Sequence, residues 1–230
     1  EALDDILDGG IRTQEMVEFF GEYGTGKSSI CFKLCVTAPQ PKEEGGLDGG
    51  VLFYDTEDTL SSRRIQQICE VMELDPEPVL KNLIISKVYT SDHQELLLDH
   101  GFQVCQEEDI RLVIVDSVIT HYRSEFVGRE SLAERQQRLN KYLSRLKRLA
   151  RLYNLAVVIT NQAQADPRPW YMGGGRPKGT GGNVLAHTPT HRVYIRRSSK
   201  SKRVARVEDS PYLPRREGAF KLSDQGIEDV

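Results

Sequence analysis

The chain has 230 residues, of which 38% are hydrophobic and 28% charged; this is enough apolar content for a substantial core and excludes disordered and fibrous classes. No apolar run approaches the about 18 residues of a bilayer span, and the start at Glu1 shows neither the basic nor the apolar segment of a secretory signal. The net charge of −3 hides an asymmetry, because residues 1 to 110 carry 8 basic against 23 acidic side chains and residues 111 to 230 carry 23 against 11. A basic second half points to a polyanion partner, with solvated helix faces as the other explanation. The expectation is a soluble protein without a membrane partner, cytoplasmic or, in a eukaryote, nuclear. Since the first residue is not Met, a core excised from a longer chain is expected. The four cysteines, Cys31, Cys35, Cys69 and Cys105, lack C-x-x-C spacing and read as reduced core residues rather than a disulfide scaffold or zinc site.

In chain order, strand-length apolar runs occur at 16–20, 51–54, 83–85, 112–115 and 155–160. Helical patterns fall between them at 28–36, 62–72 and 93–105, and the longest at 131–153, where Leu132, Leu139, Leu143, Leu146, Leu149 and Ala150 form one apolar stripe beneath a basic face. This alternation predicts an α/β fold with a mainly parallel central sheet flanked by helices. Beyond residue 188, runs at 192–197, 203–208 and 219–222 predict short strands joined as an antiparallel extension. Residues 120–130 and 163–183 are polar and read as loops; the second holds six glycines and three prolines, and loops of that length in compact domains are functional or disordered.

The strongest signal is Gly21-Glu22-Tyr23-Gly24-Thr25-Gly26-Lys27-Ser28, which fits G-x-x-x-x-G-K-[ST] between an apolar strand and a helix. In such a loop backbone N–H groups converge on phosphate oxygens, the helix adds its positive end through residues such as Ser29, Lys27 supplies a point charge to the β- and γ-phosphates, and Ser28 offers its hydroxyl to Mg²⁺. Nucleotide and magnesium are therefore the expected cofactors. The strand at 112–115 ends in Asp116, at the same sheet edge, from where it can hold the magnesium shell. The strand at 51–54 ends in Asp55, and Glu57 two residues on can orient an attacking water.

Further segments carry a resemblance over nearly the whole chain: Leu3 to Ile11, the phosphate loop, Tyr54-Asp-Thr-Glu57, Val115-Asp-Ser117, Gly128 to Gln136, Ile159-Thr-Asn-Gln162, Gly182 to His187 and Asp209-Ser-Pro-Tyr-Leu-Pro214. The sequence resembles the catalytic core of the archaeal RadA recombinases and their eukaryotic strand-exchange relatives, within the RecA-like P-loop ATPases. The resemblance implies a RecA-like ATPase core over 1–230, with the family's N-terminal helical domain and oligomerisation segment outside it, so that self-association is expected of the full-length protein. It implies ATP as the nucleotide, Glu57 as the water activator, Gln162 as sensor of the γ-phosphate and Arg64 as the side chain lying against adenine. It implies that the segment containing Asp209, Pro211 and Pro214 caps a neighbouring subunit's nucleotide and that His187 lies near the same junction.

Residues 120–130 then correspond to a first DNA loop with Arg123 and Arg129 as phosphate contacts, and residues 163–183 to a second with Arg168, Arg176 and Lys178 facing a single acid, Asp166. Such a loop grips a polyanion through phosphates without reading sequence. Trp170 and Tyr171 suit either stacking on bases or covering an apolar edge. The chain departs from the family at Thr59 to Arg64 and at Arg215 and Arg216, which follow Pro214 where an acid is usual. The function so implied is an ATP-dependent DNA strand-exchange recombinase acting on single- and double-stranded DNA in recombination and repair. The alternative is a regulatory paralogue that binds nucleotide and partner proteins without exchanging strands. A mediator peptide at the oligomerisation pocket is a further expected partner.

Overall fold

The computed structural model describes residues 1–164, 178–223 and 226–230, without the side chains of Gln164, Lys178 and Asn183. A short helix α1 (Ala2–Ile6) precedes β1 (Met16–Gly21) and α2 (Lys27–Thr37). Then follow β2 (Gly50–Asp55), α3 (Ser62–Val71), α4 (Pro76–Lys81), β3 (Leu83–Lys87), α5 (Ser91–Glu107) and β4 (Ile110–Asp116). Helices α6 (Thr120–Glu125) and α7 (Leu132–Leu152) lead to β5 (Ala156–Gln164) and β6 (Lys178–Gly179). The chain closes with α8 (Gly182–His187), β7 (His191–Arg197), β8 (Lys202–Asp209), β9 (Glu217–Ser223) and β10 (Gly226–Asp229).

The strands form one sheet in the order β10-β9-β8-β7-β1-β5-β4-β2-β3, with β6 against β5 off that path. Strands β7, β1, β5, β4, β2 and β3 are parallel neighbours, and β8, β9 and β10 continue the sheet antiparallel. The sheet separates two cores. Because strand side chains alternate between faces, Leu112 and Ile114 of β4 join α2 and α3 through Cys31, Cys35, Ile65 and Ile68. Val113 and Val115 point the other way, to Leu98 of α5 and to Leu139, Leu143 and Leu146 of α7. The four cysteines are buried and free, and burial pushes the Cys105 thiol up to about 12, so they pack as small hydrophobes.

Three expectations are corrected. Residues 120–125 are not loop but the helix α6, held by one fully buried apolar side chain, Tyr122; a single anchor gives no periodicity to read. The second polar stretch is closed at its root, where Ala163 and Gln164 pair with Gly179 and Lys178, and its end enters α8 through the left-handed Gly181. The run at 192–197 joins β8 antiparallel as expected, yet its other side pairs parallel with β1. Among the described residues no helix is long and apolar enough to cross a membrane.

Candidate functional site

The carboxyl ends of β1, β5, β4 and β2 lie along one sheet edge, where ligands of open parallel sheets bind. The first of them turns immediately into α2. Gly24 and Gly26 take φ of 72° and 96°, the left-handed region where a side chain is strained. At Gly21 the constraint is space, because a Cβ there would collide with the Ile195 carbonyl of β7. Thr25, buried, donates to the Glu22 carbonyl at 2.8 Å and ties the turn to itself. Glu22, Tyr23 and Gly24 stand exposed on its outer side, and Ser28 and Ser29 are half-buried in the first turn of α2. The first N–H groups of a helix have no partner within it, so this turn presents donors and the positive helix end to an anion.

Lys27 folds back over the loop, donating from Nζ to the carbonyls of Gly21 at 3.1 Å and Glu22 at 2.9 Å. An ammonium has three donors, so one remains for a phosphate oxygen. Burial lowers the Lys27 pKa, and Asp116 and Glu57 draw it back up. Asp116 is buried at the end of β4, where Thr160 of β5 donates to its Oδ1. Burial raises its pKa, while Thr160 and Ser28 favour its charged form. Its Oδ2 is buried without a hydrogen-bond partner among the described residues. An orphaned carboxylate oxygen beside a serine hydroxyl fits Mg²⁺, which takes one or two protein oxygens and otherwise water and phosphate. Among the described residues there is no group of three or more His, Cys, Asp and Glu side chains able to hold a metal ion alone.

Asp55 has a structural task. Its Oδ1 accepts from the backbone of Glu57 and Thr59, and its Oδ2 from Leu60, so it shapes the turn that sets Glu57 at the sheet edge. Thr56 locks that turn to β4, since its hydroxyl donates to the Ser117 carbonyl at 2.9 Å and accepts from the Ser117 N–H at 2.7 Å. Glu57 is exposed and accepts from the Thr120 hydroxyl at 3.1 Å. Gln162 lies level with Gly21 in the β1/β5 register, and its Oε1 accepts from Arg123 Nη1 at 3.2 Å.

Lys27, Ser28, Asp116, Glu57 and Gln162 thus share one edge. Arg64 sits in the first turn of α3, half-buried, with Nη1 on Gln67. Arg129 is exposed beyond α6. Arg168 and Arg176, with Asp166, Trp170 and Tyr171, lie outside the described residues, as does the side chain of Lys178. The segment with Asp209, Pro211 and Pro214 is elsewhere. Asp209 pairs with Arg192 near the start of β7, whereas Gly21 is level with Ile195, so about 10 Å of strand at ~3.3 Å per residue separates this segment from the chain's own phosphate loop. His187 closes α8 three residues before Thr190, which bonds the backbone of Met16 at the start of β1.

Two polar clusters escaped the sequence reading. His191, buried, has Nε2 at 2.9 Å from Glu15 and 3.2 Å from the Tyr212 hydroxyl and Nδ1 at 3.0 Å from Ser210. These bonds fasten the 209–214 segment to the base of β1. The departures at Arg215 and Arg216 are absorbed nearby, in ion pairs with Glu208 and Asp8. The second cluster, Glu18, Asn161 and Arg192, lies inside the sheet below Gln162. Only the preference of a histidine for polar partners, and of a buried acid for a cation, could have flagged either.

Residues 1–230 match the family described as Rad51. The chain belongs to the Rad51 family. The DNA repair and recombination protein RadA of Cenarchaeum symbiosum (strain A) is 44% identical over 230 residues, which is 100% of this chain and 57% of that relative. The chain therefore spans little more than half the length of the curated relative it matches. The Rad51 family match and the parallel sheet with antiparallel carboxyl-terminal strands together make this a RecA-like fold.

Proposed function

We propose that residues 1–230 form the ATPase core of a DNA strand-exchange recombinase. Lys27 and the amino end of α2 bind the phosphates of ATP, Ser28 and Asp116 hold Mg²⁺, and Arg64 borders the base. Bound magnesium neutralises charge on the β- and γ-phosphates. Glu57 takes a proton from water as the water oxygen bonds to the γ-phosphorus and the bond to the β–γ bridging oxygen breaks. Residues 120–130, through Arg123 and Arg129, and residues 163–183, through Arg168, Arg176 and Lys178, grip single-stranded DNA and the incoming duplex. Asp209, Pro211 and Pro214 cap the nucleotide of a neighbouring copy, with His187 near the same junction, and a mediator peptide competes for the pocket used in self-association.

The observation that carries the reading is the position of Gln162. It is in register with the phosphate loop, bonded to Arg123 of α6, and only two residues before the end of β5, where the second loop begins. One amide therefore joins nucleotide to both DNA segments. The test is ATP turnover with and without single-stranded DNA. Stimulation by DNA, with strand exchange in the presence of homologous duplex, is expected; DNA-independent turnover, or nucleotide binding with no exchange, favours the regulatory paralogue.

A further inference from the structure

Glu57 and Gln162 are both held by one short helix. Thr120 donates to Glu57 Oε1 at 3.1 Å and Arg123 donates to Gln162 Oε1 at 3.2 Å. These two donors are three residues apart, which places them on one face of α6. Glu57 follows β2 and Gln162 lies in β5, strands separated in the sheet by β4, and α6 spans that interval.

Six residues are too few for a helix to persist alone in water, so α6 depends on its surroundings, and these are fixed. Tyr122 is fully buried against Tyr142, with ring centroids 6.2 Å apart, and its hydroxyl donates to Glu95 at 3.1 Å. His121 Nε2 is 3.0 Å from the Val88 carbonyl. Glu125 accepts from the N–H of Ser91 at 2.8 Å and from the Ser91 hydroxyl, clamping the helix to the first turn of α5. Every side chain of α6 from Thr120 to Glu125 except Ser124 is engaged with a residue outside the helix, and Ser124 bonds back to His121. The amino end of α6 starts just past Asp116, and its carboxyl end runs directly into the exposed segment that carries Val127 and Arg129.

We infer that Thr120, held in place by the anchored helix α6, is the positioning residue for Glu57; the inference rests on the ATPase reading above. A carboxylate has two oxygens. Thr120 engages one and so aims the other at the water whose proton Glu57 takes.

The test compares the wild type with Thr120→Val, which keeps the branched shape and removes the hydroxyl, and with Thr120→Ser, which keeps the hydroxyl. Steady-state ATP hydrolysis with saturating single-stranded DNA is measured alongside ATP affinity and thermal melting. The expectation for Thr120→Val is a kcat about three- to tenfold lower, the size one lost hydrogen bond makes in a rate, with KM and ATP affinity unchanged and with Thr120→Ser near wild type. Wild-type kcat in Thr120→Val overturns the inference, as does a Thr120→Ser variant as slow as the valine form, which would make the effect one of packing. A rise in KM at constant kcat overturns it too, by placing Thr120 in binding. A wild type that turns over with DNA separates these outcomes from failure of the recombinase reading, which would show as no DNA-dependent turnover in any form and would remove both.

Discussion

Asn161 Nδ2 donates to Glu18 Oε1 across 2.7 Å inside the sheet, although the two residues are 143 positions apart in the chain. The same amide donates to the Thr180 carbonyl at 2.7 Å, and Arg192 Nε donates to the other Glu18 oxygen at 2.5 Å. A buried acid, amide and guanidinium therefore knit β1, β5 and β7 to the far end of the second loop, one residue below Gln162.

Glu18→Ala leaves the Arg192 guanidinium, 11% exposed, without its carboxylate. Removing one partner of a buried pair costs about 3–5 kcal/mol, so urea unfolding of this variant should show a loss of that order and Glu18→Gln a smaller one. A change below about 1 kcal/mol would mean the pair does not hold the sheet at this point.

Asp116 sets stability against function. Burial raises its pKa, so the folded state binds its proton more tightly than the unfolded chain does. Stability from this group is then greatest below the ordinary carboxylate range and declines as pH rises through that range towards the raised value. Asp116→Asn should melt at higher temperature than wild type at pH 7, with the gap closing near pH 4, and should lose magnesium-dependent nucleotide binding. Melting curves at both pH values, and titration with and without Mg²⁺, check this. A variant less stable than wild type at pH 7 would show that Asp116 is held charged by partners rather than poised for a cation.

Lys27→Ala and Glu57→Gln should separate binding from chemistry. The first removes the charge at the centre of the loop while the turn made by Gly24, Thr25 and Gly26 survives, so ATP binding measured by calorimetry should fall below detection with melting within a few degrees of wild type. The second keeps the shape and the contact with Thr120 but loses the base, so ATP affinity should stay within about twofold while turnover drops by about 10²-fold or more. Normal turnover in Glu57→Gln would remove Glu57 from the mechanism.

The parallel core, the phosphate loop and Asp116 were legible in the sequence because their signals are local: an apolar run, a glycine spacing, an acid where the run stops. The site's working geometry was not. Helix α6 is invisible because its stability comes from Glu95, Val88 and Ser91, all outside it, and a six-residue helix is too short to show a period of its own. The Glu18–Arg192 pair spans 174 positions, so Glu18 reads as an acid in an otherwise apolar strand. His191 reads as a strand residue until β7 is seen to pair parallel with β1, which brings it beside Glu15. Arg123 was expected on DNA phosphates; the structure places it on α6 with one of its donors on Gln162, at the root of the second loop.

The coupling of nucleotide to DNA is tested most directly at Gln162. Single-stranded DNA affinity should be measured by fluorescence anisotropy with and without a nonhydrolysable ATP analogue, for the wild type and for Gln162→Ala. The wild type should tighten on DNA when the analogue is added, by about 5- to 150-fold for a coupling of about 1–3 kcal/mol. Gln162→Ala should bind the analogue almost normally, because Lys27, Ser28 and the start of α2 supply that binding, yet show the same DNA affinity in both conditions. If Gln162→Ala tightens on DNA as the wild type does, the amide only closes the end of β5 and nucleotide state reaches the DNA loops by another route.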